Sequence, residues 1–213
     1  MSEQKSQAQN TKEKWNKTSE AVGNMRTAML MFLIDVRIFG FDIFPDFFGW
    51  LCFIGAVDIL TGKAAGIERI RNFSKWMLWY EVAWVVLYYG ADRIFLLEKT
   101  LPYLSIFVLC IRLYCMYIVL TAIAEVGGAE GGEEETLQGL RRNRSRILVT
   151  ELVVYLVAAV QGVETIGGWL WVPFILYFLS YISCLLDLTC LREETELWEM
   201  EQEKGENAAE TVS

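Results

Sequence analysis

The residues best suited to chemistry in this sequence are charged side chains inside long apolar runs. Arg112 lies inside an apolar run: eleven residues of the run, Leu101 to Ile111, precede it, and thirteen more, ending at Glu125, follow it. This position predicts a depth near the middle of a membrane, where an arginine costs roughly 2.5 to 3.5 kcal/mol and cannot release its proton. We therefore expect Arg112 to face a carboxylate or water rather than lipid.

Acidic residues in the first run are the predicted partners of Arg112. Asp35 and Asp42 are seven residues apart, which would place them within about 20° of each other on a helix. Arg37 would lie about 160° around the same helix from Asp35, so it needs a different partner or a second subunit. Four other acidic residues lie near the ends of their runs, where we expect their carboxylates to reach the aqueous boundary: Asp58, Glu81, Glu151 and Asp187.

Two interpretations of this buried charge remain open. Asp35, Asp42 and Arg112 either line a polar cavity for an ion or a small anion, or they form an ion pair that fixes helix packing. Buried ion pairs specify packing in some proteins without adding much stability. We favour the ion pair, because the sequence contains no sign of an open pathway.

The elements that position these residues are six apolar runs. They cover residues 28–43, 47–60, 76–97, 101–125, 147–163 and 168–190, and a membrane helix needs about 20 such residues. The sequence thus predicts an all-α polytopic integral membrane bundle over residues 27–191, with a polar tail at 1–26 and an acidic tail at 192–213. The first two runs are short, so they form either two thin spans or a re-entrant hairpin.

Lysine and arginine counts predict the orientation of these helices. Fifteen of them lie in the two tails and in segments 61–75 and 126–146, whereas the alternate turns contain only Lys99. Because short cytoplasmic segments retain positive charge, both termini are predicted to be cytoplasmic. Trp50, Trp76 and Trp79 lie near predicted helix ends, where tryptophan favours the membrane interface.

The strongest local motif joins the first two runs: Asp42-x-x-Pro45-Asp46-x-x-Gly49-Trp50. Pro45 suits the first position of a helix, Asp46 suits the positive end of the helix dipole, and Gly49 allows close helix approach. The segment 28–60 resembles the opening hairpin of small, uncharacterised multi-pass membrane proteins of low-GC Gram-positive bacteria. This resemblance implies a bacterial cytoplasmic membrane and no particular activity. From the residues alone, the motif is a tight interhelical turn or a ligand-recognition element.

The residue inventory argues against most kinds of enzyme. The chain contains no histidine, which excludes Ser-His-Asp, Cys-His and HExxH chemistry. Phosphate transfer would need a glycine-rich loop with a lysine, and the five cysteines lack CxxC spacing. We predict a non-enzymatic protein without cofactor or metal, and only catalysis by carboxylates alone stays open.

The partners predicted from the sequence are lipids and proteins rather than nucleic acid. The formal net charge of −8 resides in tails and loops, and no basic surface is large enough for many phosphates. The basic stretches Lys63–Lys75 and Arg141–Arg146 are expected to contact anionic headgroups or to act only as topology signals. Two functions follow: a non-catalytic membrane-embedded interaction or assembly module, which we favour and which includes homo-oligomers, or a small-ion or small-solute transporter or channel.

Overall fold

The computed structural model describes residues 2–33, 37–38, 41–42, 46–90, 95–161 and 171–212. Over these residues the chain is almost entirely helical, as predicted. The helices are α1 (Ser2–Leu33), α2 (Asp46–Leu60), α3 (Ile67–Gly90), α4 (Phe95–Ala129), α5 (Glu134–Gln161) and α6 (Trp171–Val212). Within the part of the chain that the structure describes, two helical segments are long and apolar enough to cross a membrane: Phe107–Ala129, with a mean hydropathy of 2.2, and Val172–Gln202, with 1.9.

The first apolar run does not form the helix that the sequence predicts. Helix α1 ends at Leu33, and two short antiparallel strands follow, β1 (Arg37–Ile38) and β2 (Phe41–Asp42). The prediction that Asp35 and Asp42 share a helix face is therefore wrong for Asp42. The segment is rich in β-branched and aromatic residues and contains Gly40, which favours extended structure over helix.

The polar tails are continuous with the helices next to them. Helix α1 starts at Ser2, and α6 continues to Val212, so the predicted boundaries at 26 and 191 mark changes in composition within a helix. The N-terminal tail contains four Lys, three Glu and three Gln, and the C-terminal tail contains eight Glu; all three residue types are strong helix formers.

The helices pack in an order that follows the chain. Helix α1 contacts α2 and α6, α3 lies between α2 and α4, and α5 packs against both α4 and α6. Among the described residues, large fully buried side chains come from all six helices: Met25, Met29, Trp50, Phe53, Leu60, Ile67, Ile70, Met77, Met116, Leu120, Ile123, Leu140 and Tyr181. The α1–α2 hairpin thus contributes to the centre of the core.

The α2–α3 and α4–α5 connections come together at one end of the bundle. Lys63, in the α2–α3 connection, contacts Thr18 of α1 and Glu130 of the α4–α5 connection. This grouping agrees with the alternation predicted from the lysine and arginine counts, which assigned segments 61–75 and 126–146 to one side. It brings the N-terminal part of α1 and the C-terminal part of α6 to the same end.

The surface of the bundle divides into two halves of opposite character. In what we call the apolar half, the exposed side chains are large and hydrophobic: Phe107, Tyr114, Val149, Val153, Leu156, Val172, Phe174, Ile175, Leu176, Phe178, Leu179 and Leu186. In what we call the charged half, at the end with the α2–α3 and α4–α5 connections, Phe73, Leu197 and Met200 are exposed, but many exposed side chains are charged: Asp58, Glu68, Arg69, Arg71, Lys75, Glu133, Glu134, Glu135, Arg141, Arg142, Arg146, Glu193 and Glu201.

Candidate buried ion-pair site

Arg112 lies at the midpoint of the long helix α4. That helix has 35 residues, Phe95–Ala129, so about 25 Å of helix extends to either side of Arg112 at 1.5 Å per residue. Arg112 is therefore far from both ends of α4.

Two carboxylates hold this guanidinium. Arg112 Nη2 donates a hydrogen bond to Glu151 Oε1 on α5, and Arg112 Nη1 lies 3.6 Å from Asp46 Oδ2 at the start of α2. The side-chain exposures are 14% for Arg112, 2% for Glu151 and 34% for Asp46. The guanidinium also lies 5.8 Å from the centroid of the Phe32 ring on α1. One cation thus links four helices.

Local helix geometry places each carboxylate. Asp46 is the first residue of α2, where the helix dipole favours a negative charge. Glu151 and Arg112 lie at equal distances from the α4–α5 connection, eighteen residues from Glu133 and Glu130 respectively. Two antiparallel helices joined by a short connection bring such positions to the same level.

The motif residues around Asp46 pack the hairpin closely. A Cβ on Gly49 would lie 2.6 Å from Phe32 Cε1, so only glycine allows α1 and α2 to come this close. The Trp50 indole is fully buried and makes an edge contact with Phe32 at a centroid distance of 5.3 Å. Trp50 is therefore a core residue and not part of an interfacial belt, whereas Trp76 and Trp79 are 63% and 71% exposed.

The predicted site residues are only partly brought together. Asp46 joins Arg112, and β-strand register pairs Arg37 with Asp42, although the side chains of that pair lie outside the described residues. Asp35 and Pro45 also lie outside them. Glu151 is the residue that sequence reasoning missed, since we expected its carboxylate at the aqueous boundary and it is 1% exposed. The equal spacing from the α4–α5 connection was the signal that could have identified it.

The arrangement can hold charge, but it contains little that could do covalent chemistry. One oxygen, Glu151 Oε2, is buried and has no hydrogen-bond partner among the described residues. Over the same part of the chain, no cluster of three or more Cys, Asp or Glu side chains could hold a metal ion. Cys115, one helical turn from Arg112, is buried, and Cys110 is exposed.

The geometry therefore describes a buried arginine compensated by one buried and one half-buried carboxylate. A comparison of the chain with models of known protein families, with curated proteins and with solved structures gives no match.

Proposed function

We propose that this chain is a multi-pass protein of the bacterial cytoplasmic membrane, with both termini in the cytoplasm, and that it acts as a non-catalytic interaction or assembly module. In this proposal the apolar half lies in lipid and the charged half lies in the cytoplasm. The exposed apolar side chains of α4, α5 and α6 support the first part. The fifteen lysines and arginines of the tails and the two long connecting segments support the second.

The exposed tryptophans support the same placement of the membrane. Trp76 and Trp79 lie on α3, immediately beyond the charged residues Arg71 and Lys75. Their exposed indoles suit the headgroup level, where tryptophan is enriched.

The α1–α2 hairpin enters from the cytoplasmic side and returns to it. Helix α2 has 15 residues, about 22 Å at 1.5 Å per residue, and begins at Asp46, level with the midpoint of α4. It therefore extends over the length of only one half of α4. Of the two forms that the sequence left open, this geometry favours the re-entrant hairpin over two thin spans.

The single observation that carries the functional proposal is the enclosure of Arg112 between Asp46 and Glu151. A guanidinium that is 14% exposed and contacts two carboxylates needs no ligand to satisfy its charge. The charges available to partners are instead on the surface of the charged half, where Arg69, Lys75, Arg142 and Arg146 are exposed. These side chains suit anionic headgroups or an acidic protein surface.

The experiment that tests this proposal measures the size of the complex that the protein forms in its native membrane. The complex should be larger than the purified chain, and the joint substitutions Arg142→Glu and Arg146→Glu should reduce it while thermal unfolding stays unchanged. The matched control is Glu201→Lys, an exposed charge reversal on α6. A complex no larger than the purified chain, or one that both sets of variants reduce equally, argues against an interaction module.

A transporter or channel remains the second proposal, because one specific observation favours it. Asp46 is 34% exposed and the buried Glu151 Oε2 has no hydrogen-bond partner among the described residues, so a small cation or water has a place to bind. Proteoliposomes containing the purified chain would then conduct Na⁺, K⁺ or H⁺ above empty liposomes. Glu151→Gln would abolish that flux, whereas the exposed Glu68→Gln would not.

A further inference from the structure

Four parts of the chain meet at the charged end in a cluster that we call the terminal junction. It consists of Thr18 and Ser19 on α1, Lys63 in the α2–α3 connection, Glu130 in the α4–α5 connection, and Glu199 on α6. The Lys63 ammonium donates a hydrogen bond to the Thr18 hydroxyl and lies 3.5 Å from Glu130 Oε1. The side chains of Lys63 and Glu130 are 14% and 9% exposed.

Glu199 adds another carboxyl to this cluster. Among the described residues, the groups that act electrostatically on Glu199 are Glu130 and Lys63 from the connections and Glu196 from its own helix, and the Ser19 hydroxyl of α1 lies beside it. Glu199 Oε1 is buried and has no hydrogen-bond partner within the described part of the chain. Glu199 thus lies close to two other carboxyl groups, with Lys63 as the opposing cation.

The surroundings raise the pKa of Glu199. Burial contributes most, followed by the carboxylates of Glu130 and Glu196, and together they raise the pKa of Glu199 to about 7 despite Lys63 and the Ser19 hydrogen bond. Glu199 follows Arg192 and the acidic residues after it, so it lies beyond the apolar part of α6 and outside the proposed membrane span.

The contacts near Glu199 show how the C-terminal part of α6 is attached to the rest of the bundle. Glu194 accepts hydrogen bonds from the backbone N–H of Glu133 and from the Thr136 hydroxyl, at 2.9 Å and 2.6 Å, and so fixes α6 to the start of α5. Beyond it, Trp198 packs against Gly131, where a Cβ would lie 2.7 Å from Trp198 Cδ1. The segment after Glu194 therefore packs against the α4–α5 connection through Trp198, and Glu199 is the next residue of α6.

We propose that the terminal junction is a pH-sensitive latch, in which protonated Glu199 keeps the C-terminal part of α6 docked against α1 and the two connections, and ionised Glu199 releases it. This proposal goes beyond the proposed function and does not depend on it, because an assembly module and a transporter would both expose their terminal helices when the latch opens. Ionisation places a third carboxylate beside Glu130 and Glu196, with Lys63 shared among them.

The direction of the pH effect follows from the raised pKa. Glu199 binds its proton more tightly when docked than when released, where its pKa returns towards the ordinary value of 4.5. The docked form is favoured most below that value, and the preference is lost as the pH rises to about 7. Across that whole range the ratio of docked to released molecules falls by about fivefold, because solvent screens this partly exposed carboxyl.

The latch is tested by distance measurements between two spin labels on the full chain in lipid nanodiscs. In a background with all five native cysteines replaced by alanine, labels are attached at Glu68→Cys on α3 and Gly205→Cys on α6. Both positions are exposed, and a Cβ at Gly205 has nothing within 4 Å. Distance distributions are recorded from pH 5 to pH 8.5.

The expected result is one narrow distance at pH 5 and a growing second population, or a broad one, through pH 7. Glu199→Gln should retain the narrow distance at every pH, because its amide cannot ionise, and Glu201→Gln, at an exposed position on the same helix, should behave as the unsubstituted chain. A distance that does not change with pH overturns the proposal. So does a pH response that persists in Glu199→Gln.

Discussion

The site around Arg112 and the terminal junction contain similar charges but differ in what those charges can do. Each has one cation among carboxylates: Arg112 with Asp46 and Glu151, and Lys63 with Glu130 and Glu199. Arginine keeps its proton under all ordinary conditions, so the positive charge of the first site is permanent. At the second site the pKa of Glu199 is raised to about 7, so the charge there varies with pH.

Charged groups have different roles in the two halves of the bundle. In the apolar half, a buried pair fixes which helices meet, because an uncompensated charge there is very unfavourable. In the charged half, water is close, and the same kinds of residue can gain or lose partners at modest cost. Each prediction below tests one side of this contrast.

The largest effect is expected from removing the cation in the apolar half. Arg112→Leu leaves Glu151 buried without its partner and should lower the free energy of unfolding by about 3 to 5 kcal/mol, measured by thermal unfolding in lipid nanodiscs. Arg112→Leu combined with Glu151→Leu should recover most of the loss. Equal loss in the single and double variants would show that the pair contributes by packing alone.

A smaller effect is expected where α1 and α2 come close in the same half. Gly49→Ala places a methyl group 2.6 Å from Phe32 Cε1, and overpacking of this kind typically costs about 1 to 3 kcal/mol. The control is Gly205→Ala, since nothing lies within 4 Å of that position. Unfolding temperatures that fall equally in both variants would contradict the close contact between α1 and α2.

The terminal junction should contribute a modest pH-dependent term to stability. Because the pKa of Glu199 is raised in the folded chain, the unfolding free energy should fall as the pH rises towards 7, by no more than about 1 kcal/mol after solvent screening. Glu199→Gln should remove this slope. The comparison is made by thermal unfolding at pH 5 and pH 8, and an unchanged slope in Glu199→Gln assigns the pH dependence to another group.

The smallest effect is expected at an exposed ion pair in the charged half. Arg71 Nε lies 2.6 Å from Asp58 Oδ1, but both side chains are more than 40% exposed. Arg71→Ala should therefore change the free energy of unfolding by less than about 1 kcal/mol, measured under the same conditions as Arg112→Leu. A loss as large as that of Arg112→Leu would remove the distinction between the two halves.

Much of the helical fold could be predicted, because the apolar runs and the numbers of lysines and arginines between them can be read directly from the sequence. The same counts correctly grouped the α2–α3 and α4–α5 connections, which meet at Lys63 and Glu130. The end of α1 at Leu33 could not be predicted from run length, since the apolar residues continue to 43 while local preference changes from helix to strand.

The candidate site was predicted from the position of Arg112 within its apolar run. Such a position indicates that a charge is buried but does not identify the side chains around it. Arg112 was recognised because arginine is so unfavourable in an apolar run. Its partner Glu151 was missed because the run beginning at residue 147 suggested a helix end there, whereas α5 starts at Glu134. Pairing across a hairpin depends on where the connection lies, and apolar runs alone do not locate it.

The central claim is that the apolar half lies in lipid and surrounds an enclosed ion pair. Its most direct test is the labelling of single native cysteines by a membrane-impermeant maleimide in oriented vesicles. Three variants each retain one cysteine: Cys115, which is buried near Arg112, Cys110, which is exposed in the apolar half, or Cys190, which is exposed near the charged end. We predict that Cys190 reacts only from the cytoplasmic side and that Cys110 and Cys115 do not react, because lipid covers one and packing covers the other. Reaction of Cys115 would reveal water at Arg112 and favour transport, and reaction of Cys110 would contradict the placement of the apolar half in lipid.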